Sequence, residues 1–200
     1  MRVALSFSGG KDSCFSVWEL QQSNIEIACL LITVWKGNKK TVAHDESLER
    51  MKEQANSLQL PIYFMETDFQ SYAENFVASL DELKHTYSID GVAFGDIYLE
   101  GHRKWGEQIA FEANLSAYYP LWSDKRNALS LLQKYINLGF QSTITKVDDT
   151  KLPAEWAGRL ADVSFVKDIS RYDVCPMGES GEYHTFVYDG PIFSYPVETY

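Results

Sequence analysis

One stretch near the N-terminus decides the fold of this chain: Val3-Ala4-Leu5-Ser6-Phe7-Ser8-Gly9-Gly10-Lys11-Asp12-Ser13. Its first part is mostly apolar and is typical of a buried parallel strand. The residues after Gly10 predict a helix over Lys11–Gln22 with one apolar face. The segment 8–13, called the glycine loop below, therefore connects a strand directly to a helix.

The same alternation of strand and helix continues outward from this unit. Further strands are predicted at residues 25–35, 62–65, 91–94 and 115–119. Helices are predicted at residues 46–58 and around apolar stripes centred near Phe76, Ile109 and Leu132. Such an alternation predicts an α/β fold: a doubly wound, Rossmann-like parallel sheet with helices on both faces.

From Phe140 onward the pattern weakens. One more strand is expected over Gln141–Val147 and a short helix at residues 153–160, followed by a tail rich in Gly, Pro, Tyr and Asp. We therefore predict two parts: an α/β domain over residues 1–122, and a smaller α+β lobe over residues 123–200.

Composition restricts the class of protein. The net charge of −10 argues against nucleic-acid partners and anionic membranes, and no apolar run reaches the roughly 18–20 residues of a membrane span. Cys14, Cys29 and Cys175 form neither a disulfide framework nor a zinc motif, which favours a reducing, cytoplasmic location. The aromatic content of 14% is compatible with a homo-oligomer in which some rings cover an interface.

The glycine loop has the composition of an anion site. Gly9 and Gly10 allow the backbone to turn tightly and to approach a ligand closely. The helix that follows offers unpaired N–H groups and a positive dipole end. Hydroxyl groups that can donate to phosphate oxygens are supplied by Ser6, Ser8 and Ser13.

Two charged residues complete the loop. Lys11 supplies a compact positive charge. Asp12 is unusual beside a phosphate and indicates a bridging Mg²⁺ ion, which prefers hard oxygen ligands. The loop does not fit the G-x-x-x-x-G-K-[ST] or G-x-G-x-x-G patterns. A plain strand-to-helix turn with a surface lysine is the structural alternative.

Residues 8–13 resemble the signature of the N-type ATP pyrophosphatases, or PP-loop enzymes. This resemblance implies an adenine nucleotide alpha hydrolase-like fold that binds ATP at the carboxyl ends of its strands and releases pyrophosphate and an adenylate. Segments 95–107, 119–122 and 178–191 narrow the resemblance to the diphthine–ammonia ligase family. That family implies an ATP-dependent amide-forming ligase that uses Mg²⁺, ammonia or ammonium, and a carboxylate of a modified histidine on a translation elongation factor.

Candidate site residues follow the predicted strands. Gly95 and Asp96 come where the fourth strand should end, the usual position of ligands in such sheets, and Asp96 can bind a hydroxyl, a metal or an amine. Arg103 and Glu107 lie four apart on one helix face. The family resemblance favours a substrate-facing role for this pair, and an ordinary surface ion pair is the alternative.

The C-terminal lobe contributes further candidates. Glu179 and Glu182 lie three apart in a glycine-rich turn and suit an ammonium ion or a metal, the alternative being a solvated acidic loop. We also assign a substrate role to His44, just before a predicted helix start, and to His184, on a predicted strand edge. Their structural alternatives are a helix-terminal and a partly exposed strand histidine. Cys175 is interpreted as a small buried hydrophobe.

Three other functions remain open at this stage. A sulfur-transferring PP-loop enzyme that modifies tRNA would need suitably placed cysteines and a basic surface, and neither is evident. A glutamine-fed amidotransferase would need a glutaminase-like segment, which the sequence does not show. A non-catalytic ATP-binding or sensing module differs from the ligase only in forming no AMP and pyrophosphate.

Overall fold

A computed structural model describes residues 1–198 of the chain and confirms the doubly wound sheet. The sheet is entirely parallel and has the strand order β3-β2-β1-β4-β5. The chain therefore reverses its direction of winding between β1 and β4, and ligands in such sheets bind outside the carboxyl ends at that point. The strands are β1 (Arg2–Ser6), β2 (Glu26–Trp35), β3 (Ile62–Thr67), β4 (Gly91–Ala93) and β5 (Ser116–Tyr118).

Four helices cover the two faces of this sheet: α1 (Lys11–Gln22), α2 (Leu48–Leu58), α3 (Tyr72–Tyr87) and α4 (Glu100–Glu112). Side chains of α1 and α2 pack in one apolar cluster with Val3 and Leu5. Those of α3 and α4 pack in a second cluster with Ala4. Because successive strand residues point to opposite faces, α1 and α2 cover one face and α3 and α4 the other. Within residues 1–198, no helix combines the length and apolar character that crossing a bilayer requires.

The C-terminal part adds a small lobe that shares the core of the sheet domain. It contains α5 (Ala128–Asn137), α6 (Val163–Ile169) and an antiparallel pair, β6 (Gln141–Val147) and β7 (Tyr183–Asp189). Phe15 on α1 packs against Tyr135 and Phe140, with ring centroids 5.9 and 6.2 Å away. Tyr135 and Phe140 stack on each other at 4.7 Å. The lobe is therefore fixed to α1, the helix that follows the glycine loop.

The second helix starts later than the sequence pattern predicted. It begins at Leu48, because Ser47 is its N-cap and accepts a hydrogen bond from Arg50 N at 3.3 Å. The residues before it form a compact turn, in which Asp45 has a φ of +56° and donates its N–H to Thr41 O. His44 therefore lies in a loop and not at a helix start.

The helix expected at residues 153–160 was wrong. Only a single 3-10 turn, Ala154–Trp156, forms there. Gly158 has a φ of +90°, which cannot continue a helix. The α-helix of this region, α6, comes later and starts from Asp162, whose side chain accepts a hydrogen bond from Phe165 N at 2.9 Å.

The joint between α1 and the lobe gives a stability prediction. Phe15 is fully buried, so Phe15→Ala should lower the free energy of unfolding by about 3–5 kcal/mol. Phe111 on α4 is 80% exposed, and Phe111→Ala should change that free energy by less than about 0.5 kcal/mol. Urea unfolding of both variants measures the difference, and equal effects would contradict the packing described here.

Candidate active site

The glycine loop opens into a cavity of about 540 Å³ at the carboxyl end of the sheet. Four parts of the chain meet around this cavity: the loop itself, the connection between β2 and α2, the segment after β4, and the start of β7 with the turn before it. The cavity lies where the strand order reverses, as expected for a ligand site of a doubly wound sheet. Sequence-predicted site residues that line it are Ser6, Ser8, Lys11, Asp12, Ser13, His44, Gly95, Asp96, Glu179 and His184.

The loop is held in place by β7. Gly9 O accepts a hydrogen bond from Val187 N at 3.1 Å and another from Gln54 Nε2 at 2.9 Å. The same Gln54 nitrogen donates to Val187 O at 2.6 Å. Gly9 has a φ of +78°, a left-handed conformation that favours glycine. The second helix and the last strand thus converge on one backbone carbonyl of the glycine loop.

The sequence suggested that the N–H groups at the start of the helix are free, but one of them is not. Lys11 N–H donates to Thr185 Oγ1 at 2.9 Å, so this group ties the helix terminus to β7. The N–H groups of Asp12 and Ser13 belong to the same first turn and have no acceptor within the helix. They are the amide donors that this helix terminus can offer to an anion.

Lys11 and Asp12 form an ion pair on the cavity wall. The Lys11 side chain is only 3% exposed, and its Nζ lies 2.9 Å from Asp12 Oδ2 and 4.8 Å from the centre of the Tyr183 ring. Burial raises the pKa of Asp12, although Lys11 acts in the opposite direction. Asp12 Oδ1 is buried and has no hydrogen-bond partner among the described residues. An unpartnered carboxylate oxygen of this kind fits a divalent cation such as Mg²⁺.

A second acidic group lies on the same cavity. Ligand atoms of Asp96, His102 and Glu179 all lie within 4.8 Å of one another. His102 Nδ1 is 2.9 Å from Asp96 Oδ1, and Glu179 Oε1 accepts a hydrogen bond from Ile97 N at 2.8 Å. Burial, together with the nearby carboxylates of Asp12 and Asp96, raises the pKa of Glu179 to about 7. The group is therefore suited to a cation.

Two histidines complete the wall above the glycine loop. The rings of His44 and His184 lie 4.8 Å apart. Burial, together with His184 and Lys11, lowers the pKa of His44 to about 3. Burial and Lys11 also lower the pKa of His184. Both imidazoles are therefore neutral at physiological pH.

Five predicted residues do not line the cavity, and their roles stay predictions: Gly9, Gly10, Arg103, Glu107 and Glu182. Arg103 Nε pairs with Glu107 Oε1 at 2.8 Å on the exposed side of α4, and the guanidinium lies 4.8 Å from the Trp122 ring. Glu182 is buried and accepts hydrogen bonds from Cys175 N and Ser180 N. Glu182 therefore shapes the turn that carries Glu179, and Cys175 is buried as expected.

The sequence reasoning also missed residues of the site. His102 belongs to the segment 95–107 and lies in the first turn of α4, but its contact with Asp96 Oδ1 was not predicted. Thr185 follows His184 directly, so its strand was expected but its contact with Lys11 N was not. Gln54 gave no signal, because a glutamine on an amphipathic helix is usually exposed.

Two family models match the chain. The model described as the diphthamide synthase N-terminal domain matches residues 1–117. The chain belongs to the diphthamide synthase family. The model of the C-terminal domain of the same family matches residues 127–200, which include β6 and β7. The resemblance drawn from the motifs is thereby confirmed.

Curated members of this family are similar over nearly the whole chain. A diphthine–ammonia ligase of Bos taurus is 28% identical over 96% of this chain and 80% of its own length. The Homo sapiens diphthine–ammonia ligase is 27% identical with the same coverage. A diphthine–ammonia ligase of Schizosaccharomyces pombe is 25% identical over 96% of this chain but only 35% of its own length.

The pKa of Glu179 gives a pH-dependent prediction. Because its pKa rises from 4.5 to about 7 on folding, protonation favours the folded state and stability falls as the pH rises through this window. Glu179→Gln removes the charge, so it should be more stable than the wild type at pH 8 by about 1–2 kcal/mol, after allowance for solvent screening. At pH 5 the difference should be much smaller.

Urea unfolding in EDTA measures this difference. Glu107→Gln, on the exposed side of α4, is the matched control and should change the free energy of unfolding by less than about 0.5 kcal/mol at both pH values. The prediction is contradicted if the gain in stability of Glu179→Gln over the wild type is no larger at pH 8 than at pH 5.

Gln54 gives a second prediction. Gln54→Met keeps the side-chain volume but removes both hydrogen bonds to Gly9 O and Val187 O. The buried Gln54 Oε1 has no partner among the described residues, and its removal offsets part of the loss. The variant should therefore lose about 1–2 kcal/mol of stability and bind ATP more weakly. Gln108→Met on α4 is the control, and both quantities are measured by thermal melting with and without ATP.

Proposed function

We propose that this protein is an ATP-dependent amide-forming ligase that adenylates a carboxylate, releases pyrophosphate and transfers ammonia to the activated carbonyl. The observation that carries the proposal is the buried Lys11–Asp12 pair at the start of α1, which faces the same cavity as Asp96 and Glu179. A candidate anion site at Lys11 and a candidate cation site at Asp96 and Glu179 lie side by side there. This arrangement suits a nucleotide phosphate chain next to an ammonium ion.

In the first step, the acceptor carboxylate attacks the α-phosphate of ATP and pyrophosphate leaves into the glycine loop. Lys11 and the amides of Asp12 and Ser13 stabilise the negative charge that builds up on the leaving group. Mg²⁺ held at Asp12 supplies additional positive charge for the phosphates when it is bound. The loop itself is kept in position by Gln54 and β7, so little reorganisation accompanies the reaction.

In the second step, ammonia attacks the acyl carbon of the adenylate, and an amide and AMP are formed. Asp96 and Glu179 place negative charge on the cavity wall and favour the approach of ammonium. His102 holds the Asp96 carboxylate through its Nδ1. The attacking nitrogen loses protons as the amide forms, and these leave through the solvent-connected cavity.

The acceptor is proposed to be the carboxylate of diphthine, the modified histidine on a translation elongation factor. The proposal is supported by the similar curated proteins, which are named diphthine–ammonia ligases. His102 is exposed beside Asp96, which would allow a protein substrate to reach this part of the cavity. A cytoplasmic location, where such a factor works, agrees with three cysteines that are all free.

A sulfur-transfer reaction is disfavoured by the state of the thiols. All three cysteines are buried. Burial raises the pKa of Cys14 well above its ordinary value and that of Cys29 to about 12. A thiol must ionise to act as a nucleophile, so neither is suited to carry sulfur.

Lys11 gives the test of the ligase proposal. Lys11→Ala should lower the rate of AMP and pyrophosphate formation by about 100-fold or more, because a buried charge that stabilises the leaving group is lost. The assay supplies ATP, Mg²⁺, [¹⁵N]ammonium and an elongation factor that bears diphthine, and mass spectrometry follows the amide. Lys167→Ala, on the exposed surface of α6, is the matched control and should keep the wild-type rate.

Two outcomes decide against the proposal. An unchanged rate in a folded Lys11→Ala protein would refute the role of the loop. Binding of ATP by the wild type without AMP formation, in the presence of the acceptor and ammonium, would instead identify a sensing module. A normal melting transition of Lys11→Ala shows that the comparison is made on a folded protein.

A further inference from the structure

His44 and His184 come from distant parts of the chain and meet above the glycine loop. His44 lies in the connection between β2 and α2, and His184 lies on β7. Their rings are 4.8 Å apart, tilted by 57°, and both line the cavity that contains Lys11. Nothing in the mechanism described above uses either ring.

His44 is pressed against the loop backbone. A Cβ atom at Gly10 would overlap His44 Cε1, so the ring occupies the space that any other residue at this position would fill. His44 Nδ1 is buried and has no hydrogen-bond partner among the described residues. Buried polar atoms without a partner are rare, so this nitrogen is available to a ligand in the cavity.

The positive charges that face the pair disfavour protonation of its two imidazoles. Lys11 on α1 acts on both rings, and Lys146 lies opposite His184 in the register of β6 and β7. Asp45 faces His184 and acts in the opposite direction. A phosphate group beside Lys11 would add negative charge close to both rings and reverse the balance.

We propose that His44 and His184 form the outer wall of the phosphate site, and that binding of a pyrophosphate group there brings a proton onto the pair. The group is either free pyrophosphate or the two outer phosphates of ATP. The protonated pair donates a charge-assisted hydrogen bond to a phosphate oxygen. The inference rests on the proposed function for the orientation of ATP, with its outer phosphates in the glycine loop.

The test is the proton balance of binding, measured by titration calorimetry in two buffers of different ionisation enthalpy. The probes are Mg²⁺-pyrophosphate and AMP, at pH 6 and pH 8. Pyrophosphate should take up roughly half a proton to one proton at pH 6 and much less at pH 8, because the pair is then above its bound pKa. AMP has no outer phosphates and should show no such uptake.

Variants distinguish proton uptake by the histidine pair from proton exchange by pyrophosphate itself. His44→Asn and His184→Asn should each lose most of the uptake and weaken pyrophosphate binding about tenfold at pH 6, but less than about threefold at pH 8. His85→Asn, on the exposed end of α3, is the matched control and should behave as the wild type. His184→Gln is the second variant, should an asparagine variant fail to show a normal melting transition.

The outcomes distinguish this inference from the ligase proposal. Uptake that persists in folded His44 and His184 variants overturns the inference, while AMP formation by the wild type leaves the ligase proposal intact. The inference is also overturned if AMP binding takes up as many protons as pyrophosphate binding. The pair would then respond to the inner phosphate or the nucleoside and not to the outer phosphates. A wild-type protein that neither binds pyrophosphate nor forms AMP overturns both.

Discussion

The contact between β7 and the glycine loop is the constraint on which the site depends. A turn built around two glycines has little conformational preference of its own, so something outside it must hold its carbonyls and amides in one arrangement. Val187 N and Gln54 Nε2 bind Gly9 O, and Thr185 Oγ1 binds Lys11 N. The C-terminal lobe is thus part of the wall of the candidate site, although the loop lies near the N-terminus.

The cavity is an unusual concentration of buried charge. Lys11 is almost completely enclosed and neutralises one carboxylate, yet Asp12 and Glu179 both have raised pKa values. Buried charges of this kind cost free energy, and they are typical of sites that bind a charged ligand. In the function proposed above, the phosphates of ATP would pair with Lys11 and a cation would pair with the carboxylates of the cavity.

Most of the sheet domain could be predicted because the apolar pattern that specifies each strand and helix lies within that segment. The first helix was placed at Lys11–Gln22, where the structure has it, and the strand Gln141–Val147 was placed correctly as well. The errors at residues 153–160 and before Leu48 arose where a left-handed Gly158 and a capping Ser47 decide the boundary. Motif chemistry predicted roles for the loop, Asp96 and Glu179, and the structure places them around one cavity. Gln54 and Thr185 were missed, because their roles depend on contacts between distant segments that periodicity does not encode.

The bond from Lys11 N to Thr185 Oγ1 joins residues 174 positions apart. During synthesis the glycine loop leaves the ribosome early, but the strand that fixes it emerges only after nearly the whole domain has been translated. Contacts of such long range also form late in folding, since closing a long loop must precede them. A chain that ends before β7 would lack the bonds from Val187 N to Gly9 O and from Lys11 N to Thr185 Oγ1, so we expect the proposed phosphate site to assemble only after residue 187 has been translated.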